Sequence, residues 1–382
     1  MKNSADIVII GGGIIGSAIA FNLAKKGKKD VVILEKDKFI GAGATAKCAG
    51  GIRAQFSSEI NIRMSLMSEN LLEAFQDQTG EEGIFDQCGY LFVVSTFEQE
   101  DLFRKNMELQ RKNDVPVDWL EPEDIRDLAP KVKLDDILGG TFCKKDGIGD
   151  PHIFTHGYAN AAKKLGAEIE LEAEVTGINV ESGRVKSVTT NKGDIECGIV
   201  IDAAGPYIAE VAKLAGIDLP VVPVKRQIST TSPLSWLQPE FPMVVDVTSG
   251  LYFHRESGGL LLGWADPDTP PGFDESLDPD YTDEIIMKAM DRIPSLEDAR
   301  IASSWAGLYA VTPDHHAILG HIPEIENFIV AGGFSGHGFM HGPAAGQLIA
   351  ELIVDGKPSV DLSPLSIERF KDQQITEESI VI

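Results

Sequence analysis

Hydrophobic positions are densest at the start of the chain, where DIVII (Asp6 to Ile10) reads as a short buried strand. Gly11-Gly12-Gly13 follow as a turn, Ile14 to Lys26 as a helix closed by Gly27, and Val31 to Leu34 as a second strand, giving one βαβ half-unit. Ser57 or Ser58 then caps a helix whose apolar residues Ile60, Met64, Met67, Leu71 and Phe75 recur at helical spacing and predict a core-facing stripe. GYLFVV (89–94) predicts a strand. Two helices follow, Gln99 to Asn113 and one opened by Pro122 and stopped by Pro130. A helix ended by Gly166, a strand through Val175 and turns at Ser182-Gly183 and Asn191-Gly193 predict a three-stranded meander. From about Leu219 to Arg300, short alternating runs predict antiparallel strands with one helix near Asp283 to Arg292. The strand Asn327 to Ala331 feeds a glycine loop and a helix from Pro343, with Leu348, Ile349, Leu352 and Ile353 on its buried side.

Within the opening unit, Gly11, Gly13 and Gly16 spell G-x-G-x-x-G. Gly11 permits the tight turn, Gly13 lets backbone approach a pyrophosphate, and Gly16 lets the helix pack on the strand. The helix N-terminus adds free N–H groups and a positive dipole end for phosphates. Glu35 ends the second strand about 20 residues on, where a carboxylate accepts from an adenosine ribose and repels a 2′-phosphate. The pattern implies an adenine dinucleotide and does not choose between FAD and NAD. The following loop, FIGAGATAKCAGGIRAQFSS, is too long for a plain connection. Its glycines admit a flat ligand, Ala44 and Thr45 fall near the pyrophosphate, and Arg53 reads as a contact to flavin or to a substrate carboxylate rather than a surface ion pair.

Composition narrows the classes. A chain of 382 residues with 43% hydrophobic and 24% charged positions is globular and long enough for two domains. The apolar run Ile7 to Ala24 is broken by glycines, Ser17 and Asn22 and lacks a basic leader, so neither a membrane span nor a signal peptide is expected, and a cytoplasmic location is. Cys48, Cys88, Cys143 and Cys197 are widely spaced and read as reduced thiols. A net charge of −25 argues against nucleic acid and anionic membranes as partners.

The opening βαβ, the AGGIR loop, AAGPYIA, WAGLYAVTPD and AGGFSGHGFM, in this order, resemble the D-amino-acid oxidase and sarcosine oxidase family of FAD enzymes. QCGYLFVV and AKCAGGIRAQF are most similar to the β subunits of heteromeric sarcosine oxidase and dye-linked L-proline dehydrogenase. The resemblance implies an α/β fold: a Rossmann-like FAD-binding domain of the glutathione reductase type (1–86, 150–219 and 320–365), with a second, antiparallel-sheet α+β substrate domain (87–149 and 220–319) and a C-terminal tail (366–382). It implies that FAD contacts Ile15, Lys36, Gly50, Gly51 and Ile52 besides the glycine motif and Glu35, that Val175, Ala204 and Gly205 touch the adenine half, and that Gly307 with Gly336 to Met340 (His337, Gly338 and Phe339 between) lines the isoalloxazine. The implied activity is oxidation of the C–N bond of a small secondary or α-amino acid, such as proline, sarcosine or glycine, by hydride transfer to flavin N5.

Departures from the family sharpen this. Tyr309 stands where the glycine and D-amino-acid oxidases carry a carboxylate-binding arginine, and Gly307 where monomeric sarcosine oxidases tether FAD through cysteine, so FAD is expected to be non-covalent. Leu261 and Met340 replace two lysines of the monomeric enzymes, which points to an electron acceptor other than oxygen. Pro151 replaces an FMN-linking histidine, with His152 a weak substitute, so FMN would fit only at an interface with a partner subunit. His337 is the implied flavin-edge residue, against a structural histidine; Tyr252 and Tyr309 are candidate carboxylate partners, against interface aromatics. Lys225-Arg226 reads as a solvated pair before a second anion site. His337 and His341, four apart, invite a metal, but Gly336, Gly338 and Gly342 argue against a helix there and no metal is expected. A peroxide-producing oxidase, a non-catalytic flavin-binding or electron-relay subunit and an NAD-dependent dehydrogenase are the competing readings.

Overall fold

The computed structural model describes residues 2–371 and 376–380. Strand Ser4–Ile10, helix Ile14–Lys25 and strand Val31–Leu34 form the predicted opening unit. Both strands belong to an eight-stranded sheet. Its main path runs Val175–Glu181, Arg184–Thr190, Gly193–Asp202, Ser4–Ile10, Val31–Leu34, Glu168–Glu170. The strand Gly193–Asp202 forks. Its start pairs antiparallel with Arg184–Thr190 in the predicted meander, while its end pairs parallel with Ile325–Gly332, which carries Ile318–Ile322. Ser4–Ile10 has a parallel neighbour on each side, so both its faces are covered and DIVII reads as a continuous apolar run. Ile7, Ile9, Phe21 and Leu348 belong to the core on one face; Val8, Ile10, Val200 and Val330 belong to that on the other.

Two glycines of the motif are fixed by sterics. A Cβ on Gly16 would lie 2.0 Å from the Gly11 carbonyl oxygen, and one on Gly11, at φ +107°, 2.4 Å from that of Ala203. Any side chain there pushes helix and turn apart.

The second sheet runs Ile301–Val311, Val222–Thr231, Gly259–Trp264, Leu251–Glu256, Met243–Asp246, Tyr90–Val94, Gly139–Cys143, Val117–Leu120. Every pairing is antiparallel except Met243–Asp246 with Tyr90–Val94, so the expected antiparallel sheet is mixed at one seam. A three-stranded sheet of Gly51–Ile52, Gly147–Gly149 and Phe85–Asp86 lies beside the long glycine loop.

Three helical expectations need correction. The helix expected from Asp283 spans Pro279–Arg292, because Asp278 accepts from the N–H groups of Asp280 and Tyr281 and caps it earlier. The last long helix spans Gly338–Val354, starting five residues before Pro343, so glycine does not prevent helix around His341. Its glycines serve contact: a Cβ on Gly342 would lie 2.7 Å from Ile14, and one on Gly346 2.5 Å from Ala18, where this helix crosses the first. In the helix Glu59–Glu73 the buried face is not the predicted stripe alone; Asn61, Ser65, Ser68 and Glu69 lie on it beside Ile62, Met64 and Leu72. Asn61, Ser65 and Ser68 are satisfied across the interface, whereas Glu69 Oε1 is buried without a partner among the described residues. Ser65 Oγ is 2.9 Å from His341 Nε2, and Ser68 Oγ accepts from the Ala344 N–H at 3.1 Å. Among the described residues no helix is long and apolar enough to cross a membrane.

Candidate active site

The pieces of chain near residues 11, 44, 205 and 332 close around linked cavities. The largest, about 820 Å³, is lined by Gly11, Gly13, Ile15, Glu35, Lys36, Ala44, Thr45, Val175, Ala204 and Gly205, each of which the sequence reading assigned to a dinucleotide. It shares Ile14, Thr45, Lys47 and Gly205 with a chamber of about 110 Å³. That chamber in turn shares Cys48, Tyr252, Tyr309 and Gly336 with a terminal one of about 50 Å³.

At the dinucleotide end the backbone is prepared for an anion. A Cβ on Gly13 would meet only Thr45 Oγ1, at 3.0 Å, and otherwise open space, so here the motif leaves room instead of filling it. Thr45 Oγ1 also accepts from the Ile14 N–H at 3.2 Å, which ties the long loop to the helix N-terminus. Glu35 is held by both oxygens: Oε2 accepts from the Gly12 N–H and Oε1 from the Asp37 N–H, each at 2.8 Å. Burial pushes its carboxyl up and these donors pull it back. Lys36 Nζ sits 3.3 Å over the Tyr207 ring. Two expected contacts are absent from the lining: Gly16 packs on Gly11, and Ile52 points into the core.

At the other end Arg53, Tyr252, Tyr309 and His337 all line the terminal chamber, with Gly50, Gly51, Gly336, Phe339 and Met340. Gly307 and Gly338 line the middle one. Tyr252 and Tyr309, both on the second sheet, face the same chamber, and burial pushes both phenols up, so they are neutral donors. His337 caps the last helix, its ring edge-on to Phe56 at 4.8 Å. Burial, then Arg53, then His341 hold it well below the ordinary imidazole range, so it is neutral. Arg53 is 1% exposed and lies 3.8 Å over the Phe56 ring. Its Nη1 donates to the Gln55 carbonyl and its Nη2 to that of Ile380 at 2.7 Å. The loop carrying it is anchored by Asp146, which accepts from the Ala54 N–H at 3.1 Å and from Gln55 Nε2 at 3.0 Å.

Three nitrogens on this lining, the donors Arg53 Nε and Arg226 Nε and the ring nitrogen His337 Nε2, are buried without a partner among the described residues. Orphans of this kind are costly unless a ligand satisfies them. Among the described residues no group of three His, Cys, Asp or Glu could hold a metal; His341 Nε2 is committed to Ser65.

A family model for FAD-dependent oxidoreductases, DAO, matches residues 6–352. The chain belongs to the DAO family of FAD-dependent oxidoreductases. It is 32% identical to mitochondrial dimethylglycine dehydrogenase of Rattus norvegicus over 97% of its own length, and spans 45% of the length of that relative. Its fold matches the crystal structure of L-proline dehydrogenase from P. horikoshii with TM-score 0.93 and 34% identity, covering 98% of this chain and 100% of that one. Glycine oxidase from Geobacillus kaustophilus matches with TM-score 0.86 and 28% identity over 96% and 99% of the two chains. The trough fits the cofactor of a DAO protein: a carboxylate for the ribose at Glu35, an open glycine and helix N-terminus for the pyrophosphate at Gly13, and a chamber beyond them that Gly307 lines.

Several lining residues escaped the sequence reading. Lys47 borders both larger cavities and pairs with Glu275 at 2.6 Å. Tyr90 and Met243 line the terminal chamber, and Arg226, read as solvated, lines the middle one. The alternation Tyr90, Phe92, Val94 was a visible cue for the first. The Ile380 carbonyl on Arg53 had no local signal.

Proposed function

We propose that this chain oxidises the C–N bond of a small secondary or α-amino acid, of the proline, sarcosine or glycine type, to an imine that water then hydrolyses. The residues Gly13, Thr45 and Glu35 would hold FAD non-covalently, and the bound cofactor would supply the acceptor for the hydride that leaves the α-carbon. The observation that carries this reading is the continuity of the dinucleotide trough with a small chamber roofed by Tyr252 and Tyr309 and floored by Arg53 and His337. The substrate amine must reach the ring neutral, since its lone pair forms the C=N bond as the hydride departs. A buried, neutral His337 beside the Arg53 cation disfavours a second positive charge there, so the chamber selects the unprotonated amine. Tyr252 and Tyr309 orient the substrate by hydrogen bonds, and the apolar walls Met243, Phe339 and Met340 exclude water until the imine leaves. The names of the relatives support the substrate class.

The reading is tested by anaerobic mixing of the holoprotein with a panel of such amino acids: bleaching of the flavin absorption by at least one is expected, and none by any would refute it. For the acceptor we propose a carrier other than oxygen, in keeping with Leu261, 3% exposed within the second sheet, and Met340 where lysines stand in monomeric oxidases. One observation favours the oxidase reading: the cations Arg53 and Arg226 both line the cavities. Steady-state rates with dioxygen against an artificial dye separate the two, and faster turnover on dioxygen would reverse the assignment.

A further inference from the structure

We infer that Arg226, not Arg53, is the group that binds the substrate carboxylate. This rests on the amino-acid reading above and assigns within it a specificity residue that the sequence reading ranked as part of a solvated pair before an anion site.

The two guanidinium groups on the chamber walls differ in how they are spent. Arg53 donates through both terminal nitrogens to backbone carbonyls of Gln55 and Ile380, and its face is covered by Phe56, so although its Nε is unpartnered too, it has no free terminal nitrogen to complete a two-point edge. A carboxylate arriving there would have to displace structural acceptors. Arg226 gives only Nη1, to the Lys225 carbonyl at 3.0 Å. Its Nε is buried with no partner, and no Asp or Glu pairs with it among the described residues. Its neighbour Lys225, by contrast, is neutralised by Asp274 at 3.2 Å.

Register places Arg226 in the roof. On the strand Val222–Thr231 it lies opposite Gly307, while Val224 lies opposite Tyr309, so the guanidinium stands beside the tyrosine pair with its Cζ 5.4 Å from the Tyr309 ring centre. Arg226, Tyr252, Tyr309 and Gly307 line one chamber. A half-buried cation with an unused Nε and Nη2 lacks its anion, and those two donors form the edge that matches a carboxylate bidentately. Tyr252 and Tyr309 add neutral donors at the same place. The chemistry selected is a small amine bearing one carboxylate, held at the roof with its α-carbon toward the ring.

The test uses the FAD-loaded protein and the variants Arg226→Gln and Arg226→Lys. With an amino acid that bleaches the wild type, Arg226→Gln is expected to raise KM on the order of 100-fold with kcat at saturation largely kept, and Arg226→Lys to recover about tenfold of that. A substrate without the carboxylate, pyrrolidine against proline, is expected to be nearly indifferent to the substitution. An unchanged KM for the amino acid, or an equal loss for pyrrolidine, overturns the assignment. Binding is also read without turnover, by titrating pyrrole-2-carboxylate against the flavin spectrum: the wild type is expected to bind and Arg226→Gln to lose it, and equal binding by both overturns the proposal. This second arm holds even if no amino acid bleaches the flavin, so failure of the substrate reading and failure of the Arg226 assignment are distinguishable. FAD affinity is measured alongside, and loss of FAD at an unchanged KM overturns the role in favour of a cofactor contact.

Discussion

His341 makes the fold acid-sensitive by a calculable amount. The ring is 1% exposed between Phe56 and Phe334, with Nε2 on Ser65, the Asn61 backbone as its other partner, and Arg53, His316 and His337 as the charged or titratable groups nearby. Burial first, then Arg53, push it down to about 3. Above pH 6.5 the imidazole is neutral in folded and unfolded chains alike and contributes no pH dependence. As pH falls from about 6.5 towards 3, the unfolded chain takes up a proton that the folded chain refuses, so stability is lost on acidification. Between pH 7.5 and 5.0 that loss is about 2 kcal/mol for this ring. Gln in place of His341 keeps a partner for Ser65 and removes the titration. Urea denaturation with FAD saturating, at both pH values, is the assay. With an m-value of roughly 4 kcal/mol/M, the wild-type midpoint should fall by about 0.5 M more than that of His341→Gln. Parallel losses in the two proteins would refute the account of a neutral, proton-refusing His341.

Other substitutions separate fold from ligand. Gly13→Ala should leave the apoprotein's thermal midpoint nearly unchanged and weaken FAD binding at least tenfold in a fluorescence titration, whereas Gly16→Ala, whose Cβ meets the Gly11 carbonyl at 2.0 Å, should destabilise the apoprotein itself by at least roughly 1–3 kcal/mol. Glu378→Ala removes the acceptor of Ser57, Ser58 and Asn61 at the start of the helix Glu59–Glu73 and should cost about 2 kcal/mol in thermal melts. Burial raises the Glu378 carboxyl but the Ser57 and Ser58 donors outweigh it and hold it low, so this contribution is present above about pH 4.3 and lost as pH falls further. Lys47→Met, which breaks the half-exposed pair with Glu275 at the cavity edge, should speed FAD release several-fold at low salt and change stability by less than about 1 kcal/mol; a release rate insensitive to the substitution would argue against a clasp.

What was legible in the sequence is what depends on near neighbours. Gly11, Gly13 and Glu35 do their work within one βαβ unit, so their spacing revealed both the elements and the trough they line. The start of the last helix was misread because Gly338 and Gly342 looked like breaks; the reason for Gly342 is Ile14, more than 300 residues away along the chain, and no local propensity carries that contact. The polar stripe Asn61, Ser65 and Ser68 was passed over in the same way, because its partners His341, Ala344 and Glu378 come from the other end of the sequence.

The Arg226 case goes one step further, because a usable local signal existed. In a strand, alternate residues face opposite sides. Lys225 and Gln227 take one side, where Asp274 and Thr282 satisfy them. Arg226 and Ile228 take the other and line the chamber. Reading Lys225-Arg226 as a single basic patch merged two residues whose parity sends them to different solvents. Charge type is written in the sequence, but whether a charge is already neutralised is decided by what the opposite face meets. For Arg226 the described residues supply no carboxylate, which is why an exogenous one at that position should be worth orders of magnitude in affinity, while the same substitution at Arg53, whose two terminal nitrogens hold backbone carbonyls, should register first as lost stability.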